Sequence, residues 1–193
     1  MRTYPITLSH SAVTQLVHTL QLSGRWLLPC EVPPSAQDFL RARSEWEQAG
    51  LAELDFDGSL HPQPVFARML YNLTHAGGAM RLCDADERTL LYIRGPVDLL
   101  RLQQTGGAWT LALRPSSEVY HWAKEYLLTA TCGHLSTEGI RDGAPCTLQA
   151  ELSQELVSGD SRIPLLNEHL LLFYRETRKE EANAGFCHRD GSV

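Results

Sequence analysis

Three potential zinc ligands lie in one stretch of this chain, Cys132-Gly133-His134 with Cys146 downstream. Zinc needs four, so the set would have to borrow His121 or His169, and the spacing matches no standard zinc pattern. Cys132 and His134 could also be drawn as a nucleophile and its base. Side chains two residues apart seldom align, however, and no Asn or Asp is evident to orient the histidine. Asp55-Phe56-Asp57-Gly58-Ser59 opens like a calcium loop. It lacks the third ligand before the glycine and the bidentate Glu beyond it, and Asp-Gly at a hairpin turn accounts for it. Asp84, Asp86 and Glu87 form an acidic turn, with nothing to pin two carboxylates together for glycoside chemistry. Gly77-Gly78 and Gly106-Gly107 are turn glycines outside any G-x-G-x-x-G or Gly-Lys-Ser/Thr motif, and no G-x-S-x-G elbow occurs. Trp26, Trp46, Trp109 and Trp122 fall on apolar faces and suit core packing better than a ligand platform. No catalytic residue, metal or cofactor is expected.

Composition narrows the partners. At 193 residues and 43% hydrophobic, the chain can bury a full core. A single domain over residues 1–178 is expected, with 179–193 as a flexible tail. The net charge of −6 disfavours nucleic acid or an anionic membrane surface, where affinity comes from Lys and Arg. No apolar run approaches the roughly 20 residues of a membrane helix. Met1-Arg2-Thr3-Tyr4-Pro5 is followed by polar Ser9, His10 and Ser11 rather than by a signal-peptide core, so a cytoplasmic protein is expected. The five scattered cysteines read as reduced thiols, which agrees, and Cys30 and Cys83 read as small core residues.

The elements that would position any site are legible in part. Residues 4–8 read as extended, and Ser9 or Ser11 can cap a helix with Val13, Leu16, Val17 and Leu20 on one face. Ser35 and Asp38 have capping-box spacing before a helix carrying Phe39, Leu40 and Trp46, which Gly50 can end. Pro62 and Pro64 suit the first turn of a helix with Val65, Phe66, Met69, Leu70 and Leu73 buried. Four strand-like segments follow, Ala79–Cys83, Leu90–Arg94, Val97–Gln103 and Trp109–Arg114, joined so tightly that they must form an antiparallel meander. Ser116 or Ser117 can cap a fourth helix with Val119, Trp122, Ala123, Tyr126 and Leu127 inward. Thr131–Cys146, rich in Gly, Thr, Ser and Asp, reads as a long loop. Thr147–Val157 fits a helix, or a strand with Leu148, Ala150 and Leu152 on one face; Leu165–Thr177 fits either state, with helix favoured. The fold class is α+β: an antiparallel β-meander packed with amphipathic helices. Ile6–Leu20 and Leu111–Tyr126 also share a strand, paired serines and a helix, a faint internal repeat.

Over residues 6–128 the order of these pieces resembles the EspG family, cytosolic chaperones of type VII (ESX) secretion. The resemblance runs through the strand and helix of Ile6–Leu22, Leu27-Leu28-Pro29, Ala49-Gly50-Leu51, Gly58-Ser59-Leu60-His61-Pro62 before the helix with Met69-Leu70, the meander, and Leu111-Ala112-Leu113-Arg114-Pro115. Residues 131–193 match it poorly, and the chain is shorter than the family's pattern. The resemblance implies a quasi-two-fold fold and a non-enzymatic role, binding a helical client and keeping it soluble. It implies too that the C-terminal part contributes to client binding.

A meander with helices on one side leaves its other face for a partner. Leu91 and Ile93 point one way and Tyr92 and Arg94 the other, and Leu99 and Arg101 lie on one face of the next strand. Tyr and Arg are enriched at interfaces. Tyr92, Arg94, Leu99 and Arg101 are therefore the expected partner-binding residues, with a protein client as the expected partner. Two other classes compete: a small-molecule enzyme, and an acidic winged-helix-like DNA-binding regulator using the 35–75 segment. In the latter, Glu45 and Glu47 among Arg41 and Arg43 would repel phosphates.

Overall fold

The computed structural model describes residues 5–28, 35–55, 59–84, 89–129, 132–141, 144–152 and 159–175. The chain is α+β. A seven-stranded antiparallel sheet has the order β1-β7-β6-β5-β4-β8-β9. Its strands are β1 (Ile6–Ser9), β4 (Gly78–Asp84), β5 (Thr89–Arg94), β6 (Leu99–Thr105), β7 (Ala108–Arg114), β8 (Gly133–Arg141) and β9 (Ala144–Leu152). A separate hairpin pairs β2 (Ala52–Leu54) with β3 (Leu60–Pro62).

Helices cover both faces of the sheet. On the first lie α1 (His10–Thr19), α2 (Ala36–Gln48) and α3 (Pro64–Thr74). Their apolar stripes, Val13, Leu16 and Val17, Ala42 and Trp46, and Phe66, Met69 and Leu73, meet Leu91, Ile93, Leu100, Leu102, Leu111 and Leu113 of the sheet. On the second lie α4 (Glu118–Thr129) and α5 (Gly159–Tyr174). There Val119, Ala123, Leu166, Leu170 and Phe173 meet Met80, Leu82, Leu90, Tyr92, Leu99, Leu135 and Leu152. Strand alternation deals successive residues to the two cores, so Leu90 and Tyr92 serve one and Leu91 and Ile93 the other.

The local signals act as their chemistry requires. Ser9 caps α1, its side chain accepting from the Ala12 amide at 3.1 Å. Its own amide and hydroxyl donate to Glu45 at 2.5 and 2.6 Å, which ties the start of α1 to α2. Ser35 and Asp38 form the reciprocal capping box of α2, and the Ser35 hydrogen bonds hold the Asp38 carboxyl below its ordinary range. Gly50 follows the helix at φ +65°, a left-handed conformation that glycine adopts without steric cost. Of the two prolines, only Pro64 opens α3; Pro62 ends β3 instead. Asp57-Gly58 lies outside the described residues, as do Cys30, Asp86, Glu87 and 179–193. Cys83 is partly exposed.

Three expectations are corrected. Thr131–Cys146 is not a long loop: residues from Gly133 onward are β8, and β9 pairs with it over nine register positions, Gly133↔Leu152 to Arg141↔Ala144. The second face of the meander is not open, because α4 and α5 lie on it. The repeat resolves as β1–α1 and β7–α4, whose strands pair antiparallel with Ile6 opposite Leu111. Their helices go to opposite faces, whereas a two-fold axis normal to the sheet would leave both on the same one.

Two glycines let α5 rest on the sheet by its backbone. A β-carbon on Gly78 would stand 2.7 Å from the Phe173 carbonyl oxygen, and one on Gly139 would stand 2.6 Å from that of Leu172. Neither contact is compatible with a side chain.

Candidate functional site

The structure brings the four expected partner-binding residues together, enclosing Tyr92 and Leu99 and leaving Arg94 and Arg101 half-buried. Tyr92 is directly opposite Arg101, and Arg94 opposite Leu99. Tyr92 and Leu99 are each 0% exposed, inside the core that α4 and α5 build. Burial pushes the Tyr92 phenol well above its ordinary range, with the Glu118 carboxylate adding to the shift and Arg101 opposing it. The Tyr92 ring lies 5.4 Å from that of Trp122 on α4. Arg101 pairs with Glu118, in the first turn of α4, at 3.3 Å, and Arg114 reaches the same carboxylate at 3.7 Å. Arg94 donates to the carbonyls of Phe173, Gly77 and Arg175 at 2.6, 2.8 and 2.9 Å. Tyr and Arg do mark an interface here, but it is the chain's own, where α4 and α5 dock on the sheet. The expectation of an open client face at these residues is corrected on that ground.

The ligand set drawn from the sequence is not assembled. In the β8–β9 hairpin His134 stands opposite Glu151, and Cys146 opposite Gly139. Five residues of strand separate those positions, about 17 Å at the usual rise. His169 is turned inward on α5, its Nδ1 2.8 Å from the Thr137 hydroxyl. Among the described residues no three His, Cys, Asp or Glu side chains gather as a metal site. The winged-helix alternative meets α2 as part of the core, with Ala42 and Trp46 buried and Glu45 committed to Ser9.

What the second layer leaves outward is a groove at the α4–α5 seam, about 800 Å³ in volume. Leu170, Leu171, Leu172, Tyr120 and Tyr174 supply its apolar lining, and Arg141 and Arg175 its charge. Leu171 is 74% exposed and Tyr120 45%. The seam is held by the Tyr174 hydroxyl, which donates to the Ser116 carbonyl at 2.5 Å. Burial raises the Tyr174 phenol's pKa, which keeps it a donor. Compared with known proteins, the chain matches no family model and no curated sequence. The groove's own chemistry is the guide to function.

The sequence carried a signal for this groove. In Leu170-Leu171-Leu172, one leucine too many is present for a single buried stripe of helix, so one must face outward. Two structural devices had no such signal. Asn72 is fully buried, donating to the Arg68 carbonyl at 2.9 Å and accepting from the Asp98 amide at 3.2 Å. With the Arg68–Asp98 ion pair, it fixes α3 to the β5–β6 turn. The other is the segment after α1, where Gln21, Trp26 and Leu27 have φ of 56–57°. Non-glycine residues rarely adopt that conformation, and here the Leu27 amide donates to Glu138 on β8 at 3.2 Å.

Proposed function

We propose that this chain is a non-enzymatic protein-binding module, an adaptor or chaperone for a helical client, with the client on the α4–α5 seam. The observation that carries the reading is Leu171, a large aliphatic side chain left 74% exposed in an apolar groove beside Tyr120 and Tyr174. Contiguous exposed apolar surface is costly for a chain with nothing to cover it, and it marks interaction sites. An amphipathic helix suits such a groove, laying aliphatic residues at i, i+3/i+4 and i+7 along it. Arg141 and Arg175 favour a client with acidic residues flanking that stripe. The EspG resemblance supports the same role and extends it to a type VII secretion client in the cytoplasm. α5 belongs to the C-terminal part, which the resemblance implies in client binding.

The test is capture from the native cell with the full chain, followed by mass spectrometry, repeated with Leu171→Glu and with a photo-crosslinking residue at position 120. Removing an anchor of this type costs about 2 kcal/mol, or about 30-fold in affinity. Leu171 is exposed, so Leu171→Glu should lose the client while its melting temperature stays near that of the wild type. A client retained at full affinity by Leu171→Glu, with no crosslink from position 120, would sink the proposal.

A further inference from the structure

We infer that β9 is a dimerisation strand, pairing antiparallel with β9 of a second copy of this chain across a local two-fold axis. The sheet has two edges. β1 is short, four residues, whereas β9 runs nine, and no described strand pairs with its outer side. An edge of that length presents a row of unpaired backbone donors and acceptors to any extended chain.

Proteins that keep such an edge single protect it, and from Cys146 to Ala150 the protections are missing. Lysine, proline within the paired length, a bulge or an inward charge would each block addition of a strand. Ala144-Pro145-Cys146-Thr147-Leu148-Gln149-Ala150-Glu151-Leu152 has its proline at the second position, and Glu151 is its one charged residue. The register with β8 is continuous over all nine positions, so no bulge twists the edge away.

The alternation of β9 also fits its own copy. Cys146, Leu148 and Ala150 are half-buried, whereas Thr147, Gln149 and Glu151 are exposed. An antiparallel pair centred on Leu148 and running from Cys146 to Ala150 places Leu148 opposite Leu148, Cys146 opposite Ala150 and Thr147 opposite Gln149. Apolar side chains then meet apolar ones on one face and polar ones meet on the other, which a slip of one residue would destroy. Pro145 and Glu151 fall beyond that paired length, and the two glutamates lie on opposite sides of its centre, about 20 Å apart at the usual strand rise. No like charges are brought together. The contact is self-complementary, as a closed two-fold dimer requires.

Sedimentation equilibrium of the full chain should show a dimer that dissociates on dilution. Leu148→Lys sets two ammonium groups face to face at the centre and should give a monomer, as should Leu148→Glu. An equimolar mixture of the two should restore the dimer through opposite charges. Because Leu148 is half-buried, amide hydrogen exchange on the wild type provides a second reading: protection across 146–150 should fall as the protein is diluted. A wild-type monomer at every concentration, or a dimer undisturbed by Leu148→Lys, overturns the inference. So does protection of β9 that is independent of concentration.

Discussion

Arg94 and Phe173, 79 residues apart in sequence, are joined by a hydrogen bond from the guanidinium Nε to the carbonyl oxygen at 2.6 Å. The carbonyls at the C-terminus of a helix have no intrahelical partner and carry the negative end of its dipole. Arg94 brings a fixed positive charge from β5 to that end of α5, and donates to Arg175 and to Gly77 of the β4 entry as well. The same side chain therefore joins the start of β4 to the last turn of the helix that lies on the sheet.

Arg94→Met should keep the aliphatic stem and remove the donors. Hydrogen bonds from a charged group contribute about 1.5–3 kcal/mol each, and those lost here share one side chain, so a total near 3 kcal/mol is expected. The measurement is urea unfolding, with amide exchange across 159–175 to show where the loss falls. Uniform loosening of α1–α3 instead would mean that Arg94 does not act through α5.

The meander, α1 to α4 and the caps of α1 and α2 were legible because their signals are local: period, serine caps, glycine and tight turns. Of the β8–β9 hairpin, β9 is the strand alternative for Thr147–Val157, with Leu148, Ala150 and Leu152 on one face, whereas β8 reads as loop because its face pattern is interrupted. Thr137 is buried and bonded to His169, Ser136 is buried, and Gly139 has no side chain, since α5 needs the space. Such residues read as loop until the helix above them is in view, although Asp142-Gly143 is itself a hairpin-turn dipeptide. The partner site failed for a related reason. Composition identified Tyr92, Arg94 and Arg101 as interface residues, but it does not say whether the opposing surface belongs to another chain or to helices farther along this one.

A second consequence follows from His169, packed against β8 with its ring nitrogen on Thr137. Burial disfavours the imidazolium and holds the pKa of His169 below its ordinary value near 6.5, with the neighbouring Glu168 carboxylate opposing weakly. The unfolded chain thus takes up the proton more readily than the folded one. This contribution to stability is complete above pH 6.5 and is lost as pH falls from there through the folded pKa. His169→Gln, neutral at every pH, should flatten the dependence of unfolding free energy on pH in that window. An unchanged slope in the variant would show that other groups carry it.

The last consequence bears on the interior of the second core. Tyr92 is fully enclosed by Met80, Leu99, Val119 and Ala123 and stacks at a tilt on Trp122, so its ring is a packing element. Truncating an aromatic in such a place costs about 3–5 kcal/mol, from lost transfer energy and the cavity left behind. Tyr92→Ala should therefore lower the melting temperature steeply, the opposite of what an exposed binding residue would do. Tyr92→Phe keeps the ring and removes a hydroxyl that sits beside Glu118, so it should stay within about 1 kcal/mol of the wild type. The pair separates shape from polarity. If Tyr92→Ala melts with the wild type, α4 does not cover β5 in solution, and the face bearing Tyr92, Arg94, Leu99 and Arg101 is open after all.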